Sequence, residues 1–81
     1  MATMSDEDIR NQVIGIIAEI LFCDKEEIKQ ENFSEIPELD SLSLSLVLEK
    51  TESSFNIKLN TEELYEIDSI GELVNYLSKL L

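Results

Sequence analysis

In three separate stretches of this chain, apolar residues return every three or four positions, and that period limits what it can fold into. Ile9, Val13, Ile16, Ile17, Ile20 and Leu21 form the first stripe; Leu44, Val47, Leu48 and Phe55, joined by Thr51, form the second. Ile70, Leu73, Val74, Leu77 and Leu80 form the third. A spacing of this kind lines one face of an α-helix. The alternation in "SLSLSL" suggests a strand, but it lasts six residues while the helical stripe runs on to Phe55, so the segment from Ser41 to Phe55 is predicted helical. Ser5 is the expected N-cap of the first helix, with Asp6, Glu7 and Asp8 placed to complement its positive end. Gly15, inside that helix, is expected to permit close packing.

The connections follow from the breakers. Between Phe22 and Leu39 the period loosens into a long structured loop. It holds one expected helical turn capped by Asp24, with Ile28 and Phe33 pointing inward. Pro37 pushes Ile36 away from helix just before the second long segment. After Asn56, Ile57 and Leu59 return to the core, and Thr61 is the expected cap of a short helix through Glu62, Glu63, Leu64 and Tyr65. "SIGE", Ser69 to Glu72, reads as a capping box for the last helix. The fold class is therefore all-α. It is a small four-helix bundle, three helices longer and one short, with the long loop between the first and second. Residues 1–5 are read as a frayed lead-in, in which Ser5 also serves as the cap, and residues 6–81 as a single domain.

Charge removes several function classes. Six basic and eighteen acidic residues leave a net charge of −12. That field repels nucleic acid and anionic membranes and favours partners with basic surfaces. With no histidine, the commonest general base and metal ligand is missing, which argues against catalysis. The single cysteine, Cys23, cannot form an internal disulfide and has no partner base; it reads as a small buried residue. No signal-like or membrane-spanning run is present, so a cytoplasmic monomer is expected. "DKEEIKQENFSE", from Asp24 to Glu35, has the separation of an EF-hand loop. It places Ile28 at a ligand position and Lys29 where the turn needs glycine, so no metal site is assigned.

One stretch, "ELDSLSLSLVLEK", points to function. Asp40 stands where the second helix begins and can accept the N–H of Leu42 or Ser43, which leaves Ser41 as the first helical residue. A group on the Ser41 hydroxyl would sit beside unpaired N–H donors at the positive end of the helix, a favourable place for phosphate. "DS" alone matches by chance, and a cap followed by an ordinary surface serine would explain it. Leu42 and Leu46, however, project opposite the core stripe. Two leucines one turn apart beside that serine fit a docking patch, although they would equally be scattered surface residues or a floor beneath the loop.

The order helix, long loop, "LDSLSLSLVLEKTESSF", short helix and final helix resembles the acyl carrier protein family, from about Asp6 to Leu80. "EEI" in the loop, "IKL" before the third helix and "SIGELVNYL" in the last carry the likeness further. The resemblance implies that Ser41 receives a covalent 4′-phosphopantetheine arm and that Asp40 helps recruit the phosphopantetheinyl transferase and its metal ion. It implies that Leu42 is a recognition contact. A carrier of this kind holds an acyl or aminoacyl group as a thioester. It presents that group to loading ligases, synthases or transferases and has no catalytic residue of its own.

The chain departs from the fatty-acid members of that family at two places. Glu38 stands where they usually have glycine, two residues before the aspartate. The second helix, usually acid-rich, reads Ser43, Ser45 and Leu46 before Glu49, and Lys50 dilutes it further. These departures favour a specialised polyketide, nonribosomal peptide or modified fatty-acid pathway, with Leu42, Leu46 and Glu49 as the docking residues. The alternative is a small acidic helical adaptor that uses the same surface without a prosthetic group.

Overall fold

In the computed structural model, which describes residues 5–36, 38–64 and 66–80 and the Thr61 backbone, the Ser5 hydroxyl accepts the Asp8 N–H at 3.2 Å. It caps α1 (Asp6–Leu21). Residues 1–4, the rest of the expected lead-in, lie outside the described residues. Three further α-helices follow: α2 (Ser41–Phe55), α3 (Thr61–Leu64) and α4 (Ile70–Leu80). Among the described residues there is no strand, only an isolated antiparallel bridge between Asn32 and Ser69. The architecture is the all-α bundle of three longer helices and one short one.

α1 is the central helix and packs along both α2 and α4. Its Ile9, Val13, Ile16 and Ile17 are buried against Ile70, Leu73, Val74 and Leu77 of α4 and Val47 of α2 in one core. Thr51 is wholly buried, and its hydroxyl donates to the Val47 carbonyl at 2.7 Å, so the inward face of α2 carries no orphaned polar atom. Leu44, Leu48 and Phe55 flank this core half-buried, as do Ile20, Leu21 and Ile57, while Leu59 is buried in it. Leu80, assigned to the apolar stripe of α4, is exposed, because the last turn of that helix runs past the end of the core.

The loop between α1 and α2 holds two 3₁₀ turns rather than one, Lys25–Glu27 and Phe33–Glu35. Asp24 occupies the cap position of the first but makes no side-chain capping bond. Phe33 and Ile36 are buried and Ile28 half-buried, so the loop closes one side of the core. Its anchor is Glu31. The Glu31 carbonyl accepts the Ile70 N–H at 2.9 Å, while its carboxylate binds the Arg10 guanidinium with one oxygen and the Gly71 N–H with the other. Phe33 N–H donates to the Asp68 carbonyl at 2.8 Å, completing the pairing of the loop with the start of α4.

This anchor explains a glycine that sequence reasoning passed over. A Cβ on Gly71 would lie 2.7 Å from the Glu31 carboxylate, whereas one on Gly15 would meet only the flexible Lys25 stem at 3.8 Å. The closer approach is therefore at Gly71, where a side chain would displace the Glu31 carboxylate, and not at Gly15. The hydrogen bond from Arg10, aided by the Gly71 amide, holds the Glu31 carboxyl below its ordinary range against the opposing effect of partial burial. A group depressed in the folded state contributes stability above its unfolded-state value, and that contribution vanishes as pH falls through its folded-state value. Glu31→Gln should accordingly lower stability at neutral pH by less than about 1 kcal/mol, the anchor being half exposed. The gap to wild type should narrow as pH falls below the ordinary glutamate range and close only below the depressed folded-state value, where Glu31 is protonated in both states. Urea melts of both proteins at neutral and acid pH measure it.

Two other caps differ from their expected form. Asn60, rather than Thr61, caps α3: its side-chain oxygen accepts the Glu62 N–H at 2.9 Å, and Thr61 is the first helical residue. Tyr65, the expected last residue of that helix, lies outside the described residues. At α4 the Ser69 hydroxyl accepts the Glu72 N–H at 3.1 Å, but the Glu72 carboxylate reaches back to the Asp68 N–H at 2.7 Å instead of that of Ser69. The capping box is thus displaced by one residue. Tyr76 of α4 accepts the Asn60 N–H at 3.3 Å, tying α3 to the bundle.

Among the described residues, three other than glycine occupy the left-handed region: Phe22 (φ 57°), Glu38 (φ 68°) and Asn56 (φ 55°). All three lie at joints between elements. Asn56 tolerates this conformation at the end of α2, but Glu38 does not share that tolerance. The turn from Ile36 to Leu39 is closed by a 3.3 Å hydrogen bond and holds Glu38 exposed. Glu38→Gly should therefore stabilise the fold by about 0.5–1 kcal/mol, since relief of strain exceeds the added freedom of the unfolded chain. A rise in the urea midpoint at unchanged slope is the expected reading.

Candidate functional site

The N-terminus of α2 differs from those of the other two long helices. In α1 the first turn carries Asp6, Glu7 and Asp8. In α4 the first three amides go to the Glu31 carbonyl, the Glu31 carboxylate and the Ser69 hydroxyl. α2 has no acid in its first turn and a single cap: Asp40, whose carboxylate accepts the Ser43 N–H at 2.8 Å. The Asp40 carbonyl accepts the Leu44 N–H at 2.9 Å. The helix supplies no acceptor for the amides of Ser41 and Leu42, which stand at its positive end.

Ser41 is the first residue of α2 and is exposed, beside exposed Asp40. The hydrogen bond from the Ser43 amide lowers the Asp40 carboxyl below its ordinary range, so it is ionised at neutral pH. That stabilisation is present above the normal carboxylate range and is lost as pH falls through the depressed value. The arrangement places an exposed hydroxyl and a fixed carboxylate beside the first-turn amides of one helix tip. An anionic phosphodiester attached to that hydroxyl would meet the positive end of the helix dipole.

Leu42 and Leu46, projected outward from sequence, are 72% and 47% exposed. Glu49 is exposed as well, and Leu46 and Glu49 line one shallow hollow with Ile20, Lys50 and Ser53. Lys50 pairs with Glu19 at 2.7 Å across α1 and α2. The other acid of α2, Glu52, turns to the following link, where its carboxylate accepts the Leu59 N–H at 2.8 Å. Glu49 is thus the exposed carboxylate that this helix leaves free of a hydrogen-bonded partner. The contribution of Ile20 to this surface was hidden in the sequence, where it counts toward the core stripe of α1.

Cys23 is half exposed rather than buried. Desolvation, reinforced by the neighbouring Glu27 carboxylate, holds its thiol above the ordinary value, which makes it a poor nucleophile near neutral pH. Among the described residues, no group of three or more acidic, cysteine or histidine side chains is arranged to hold a metal ion. Nor, among the described residues, is any helix long and apolar enough to cross a membrane.

Comparison with known proteins defines the class. Residues 11–77 match the family described as the phosphopantetheine attachment site, a span that takes in all of α2. The chain belongs to the acyl carrier protein family, whose non-catalytic members carry substrates for enzymes on covalently attached phosphopantetheine. It is similar to the acyl carrier protein of Thermotoga maritima, 34% identical over 79 residues that cover 95% of this chain and 96% of the relative. The acyl carrier protein of Streptococcus thermophilus is 36% identical over 68 residues, covering 84% and 89%. The meromycolate extension acyl carrier protein of Mycobacterium leprae is 30% identical over 78 residues, covering 95% and 68%.

Proposed function

We propose that Ser41 is the residue that carries 4′-phosphopantetheine, and that residues 6–81 act as one discrete carrier unit in a specialised polyketide, nonribosomal peptide or modified fatty-acid pathway. When bound, the arm supplies a terminal thiol on which an acyl or aminoacyl group is held as a thioester. The observation that supports Ser41 is its place: an exposed hydroxyl on the long helix whose first turn carries no acid and whose first amides remain free of helical acceptors. Those donors favour the phosphate that links the arm to the chain. Asp40, the ionised helix cap, marks the serine for the phosphopantetheinyl transferase and the metal ion that enzyme brings. The chain supplies no base to the serine, so activation falls to the transferase.

Leu42, Leu46 and Glu49 form the docking face for the transferase and for the ligases, synthases or transferases that load and use the arm. Their basic surfaces would meet the net charge of −12. A specialised pathway is favoured because α2 presents leucine and serine around one unpartnered carboxylate. Such a face relies on apolar contact more than on charge pairing. The likeness to a meromycolate extension carrier is in keeping with the modified fatty-acid branch. The same charge argues against nucleic-acid and membrane roles, and we take the protein to act as a cytoplasmic monomer. Leu46→Asp should leave the melting temperature nearly unchanged, because the side chain is half exposed, and should reduce the efficiency with which partner enzymes load the arm. A large loss of stability would place Leu46 among the packing residues instead.

The test of the reading is incubation of the folded protein with coenzyme A and a promiscuous phosphopantetheinyl transferase. Intact mass should show addition of one arm, and peptide mapping should place it on Ser41. A folded chain that stays unlabelled at that position overturns the assignment and leaves the adaptor function.

A further inference from the structure

Phe22 is 95% exposed and stands at φ 57°, immediately after α1. The surrounding hydrogen bonds form a Schellman ending: Phe22 N–H reaches the Glu19 carbonyl at 3.3 Å and Cys23 N–H the Ala18 carbonyl at 2.9 Å. This left-handed position suits glycine, because a side chain there strains the backbone. Exposing a phenyl ring to water is a second unfavourable feature. Neither is offset inside the protein, since the ring remains in solvent. Strain and exposure at one residue point outside the chain.

The surroundings indicate what meets it. Leu21 and Cys23, on either side of Phe22, line a hollow with Ile28, Ile36, Glu27 and Glu38. Asp24 and Glu26 are exposed next along the chain. Lys50 is paired with Glu19 and Lys25 turns back toward Gly15, so the rim is negative. On the other side, Ile20 joins Leu46 and Glu49 of α2 in a shared hollow, making the end of α1 continuous with the face beside Ser41. We infer that Phe22 is an anchor of the docking surface. It inserts into an apolar pocket, ringed by lysine or arginine, on an enzyme that loads or uses the arm. A buried aromatic inside a charged rim is the arrangement that concentrates binding energy in an interface. A second copy of this chain is disfavoured as the occupant, because both surfaces would be negative.

The inference rests on the carrier reading for the kind of partner, and the two fail separately. Wild-type protein that takes no arm on Ser41 sinks the carrier reading; the steps below use chain already shown to carry it. Photoreactive benzoylphenylalanine is placed at position 22 of the full chain in its native host. A second chain carries it at Gln12, exposed and about 15 Å back along α1. Position 22 should cross-link, and position 12 should not, to an enzyme that forms or consumes the thioester. That enzyme, identified by mass spectrometry and purified, is then assayed with holo wild type, Phe22→Gly, Phe22→Tyr and Asn56→Gly.

Phe22→Gly should lose at least about tenfold in kcat/KM through KM, which is what removal of a central aromatic contact removes. Phe22→Tyr should retain most of the efficiency, and Asn56→Gly, a glycine in the same left-handed position at the end of α2, should match wild type. The thermal midpoint of Phe22→Gly should not fall, which separates lost docking from lost folding. A KM within twofold of wild type for Phe22→Gly overturns the inference. So does a position-22 cross-link only to another copy of this chain, or no cross-link at position 22 at all.

Discussion

Ser41→Ala should abolish uptake of the phosphopantetheine arm entirely and leave the fold unchanged. The substitution removes one exposed oxygen at the first position of α2. It disturbs no capping bond, because the cap is the Asp40 carboxylate on the Ser43 amide, and alanine is a good residue inside a helix. Far-ultraviolet circular dichroism and the urea midpoint should therefore match wild type within about 0.5 kcal/mol. Intact mass after treatment with coenzyme A and transferase should show no added arm, and every downstream acylation should be lost with it. Ser43 and Ser45 lie on the same helix and act as internal controls: arm transfer to either in the alanine variant would show that the helix tip does not select position 41.

The largest effect on stability should come from Leu73→Ala. Leu73 is wholly buried in the first turn of α4, within the core that α1, α2 and α4 share. Removing its side chain sacrifices transfer free energy and leaves a cavity, a loss of about 2–5 kcal/mol. Total stability for 81 residues is on the order of 4–12 kcal/mol, so this one change takes a large share. The melting temperature should fall by at least about 10 °C, and if wild type lies near the lower bound the variant should be largely unfolded at room temperature. Leu42→Ala, at an exposed position on the same kind of helix, should change stability by no more than about 0.5 kcal/mol. Thermal melts of the two proteins side by side measure the contrast between a packing leucine and a surface one.

Much of the candidate site was legible because its signals are local. Asp40 caps α2 through a residue three positions away, and a 100° step per residue places Leu42 and Leu46 opposite Val47 and Thr51. The docking face could be drawn from that projection alone. The left-handed turn at Glu38 was half visible: the position stood out as one where related carriers have glycine, but only the backbone shows φ 68° there. Phe22 was not legible at all as a surface feature. An aromatic residue following a helical stripe reads as more core, and its exposure depends on where α1 ends relative to the loop that turns away from it.

The errors share one cause. Gly15 drew attention because it interrupts a helix, whereas the glycine in close approach is Gly71, whose amide bonds a carboxylate forty positions away. The anchoring of the loop by Glu31, the bridge of Asn32 to Ser69 and the reach of Glu52 to Leu59 join residues whose neighbours in sequence give no hint of the pairing. A capping serine was read correctly at Ser69, yet the Glu72 carboxylate took the Asp68 amide, one position earlier than expected.

The pattern of residues by itself determined that there are three long helices, which face of each is buried, and that a serine follows a capping aspartate at the tip of the second. Each of these depends on contacts within one or two helical turns, where the period of the chain fixes who meets whom. Only the tertiary structure decided which helix tip has its amides taken up by a distant loop, which acid of α2 remains available, and which aromatic stays in water. Those outcomes depend on hydrogen bonds and packing between segments far apart in the chain, and the energy of such contacts has no signature in any short window of sequence.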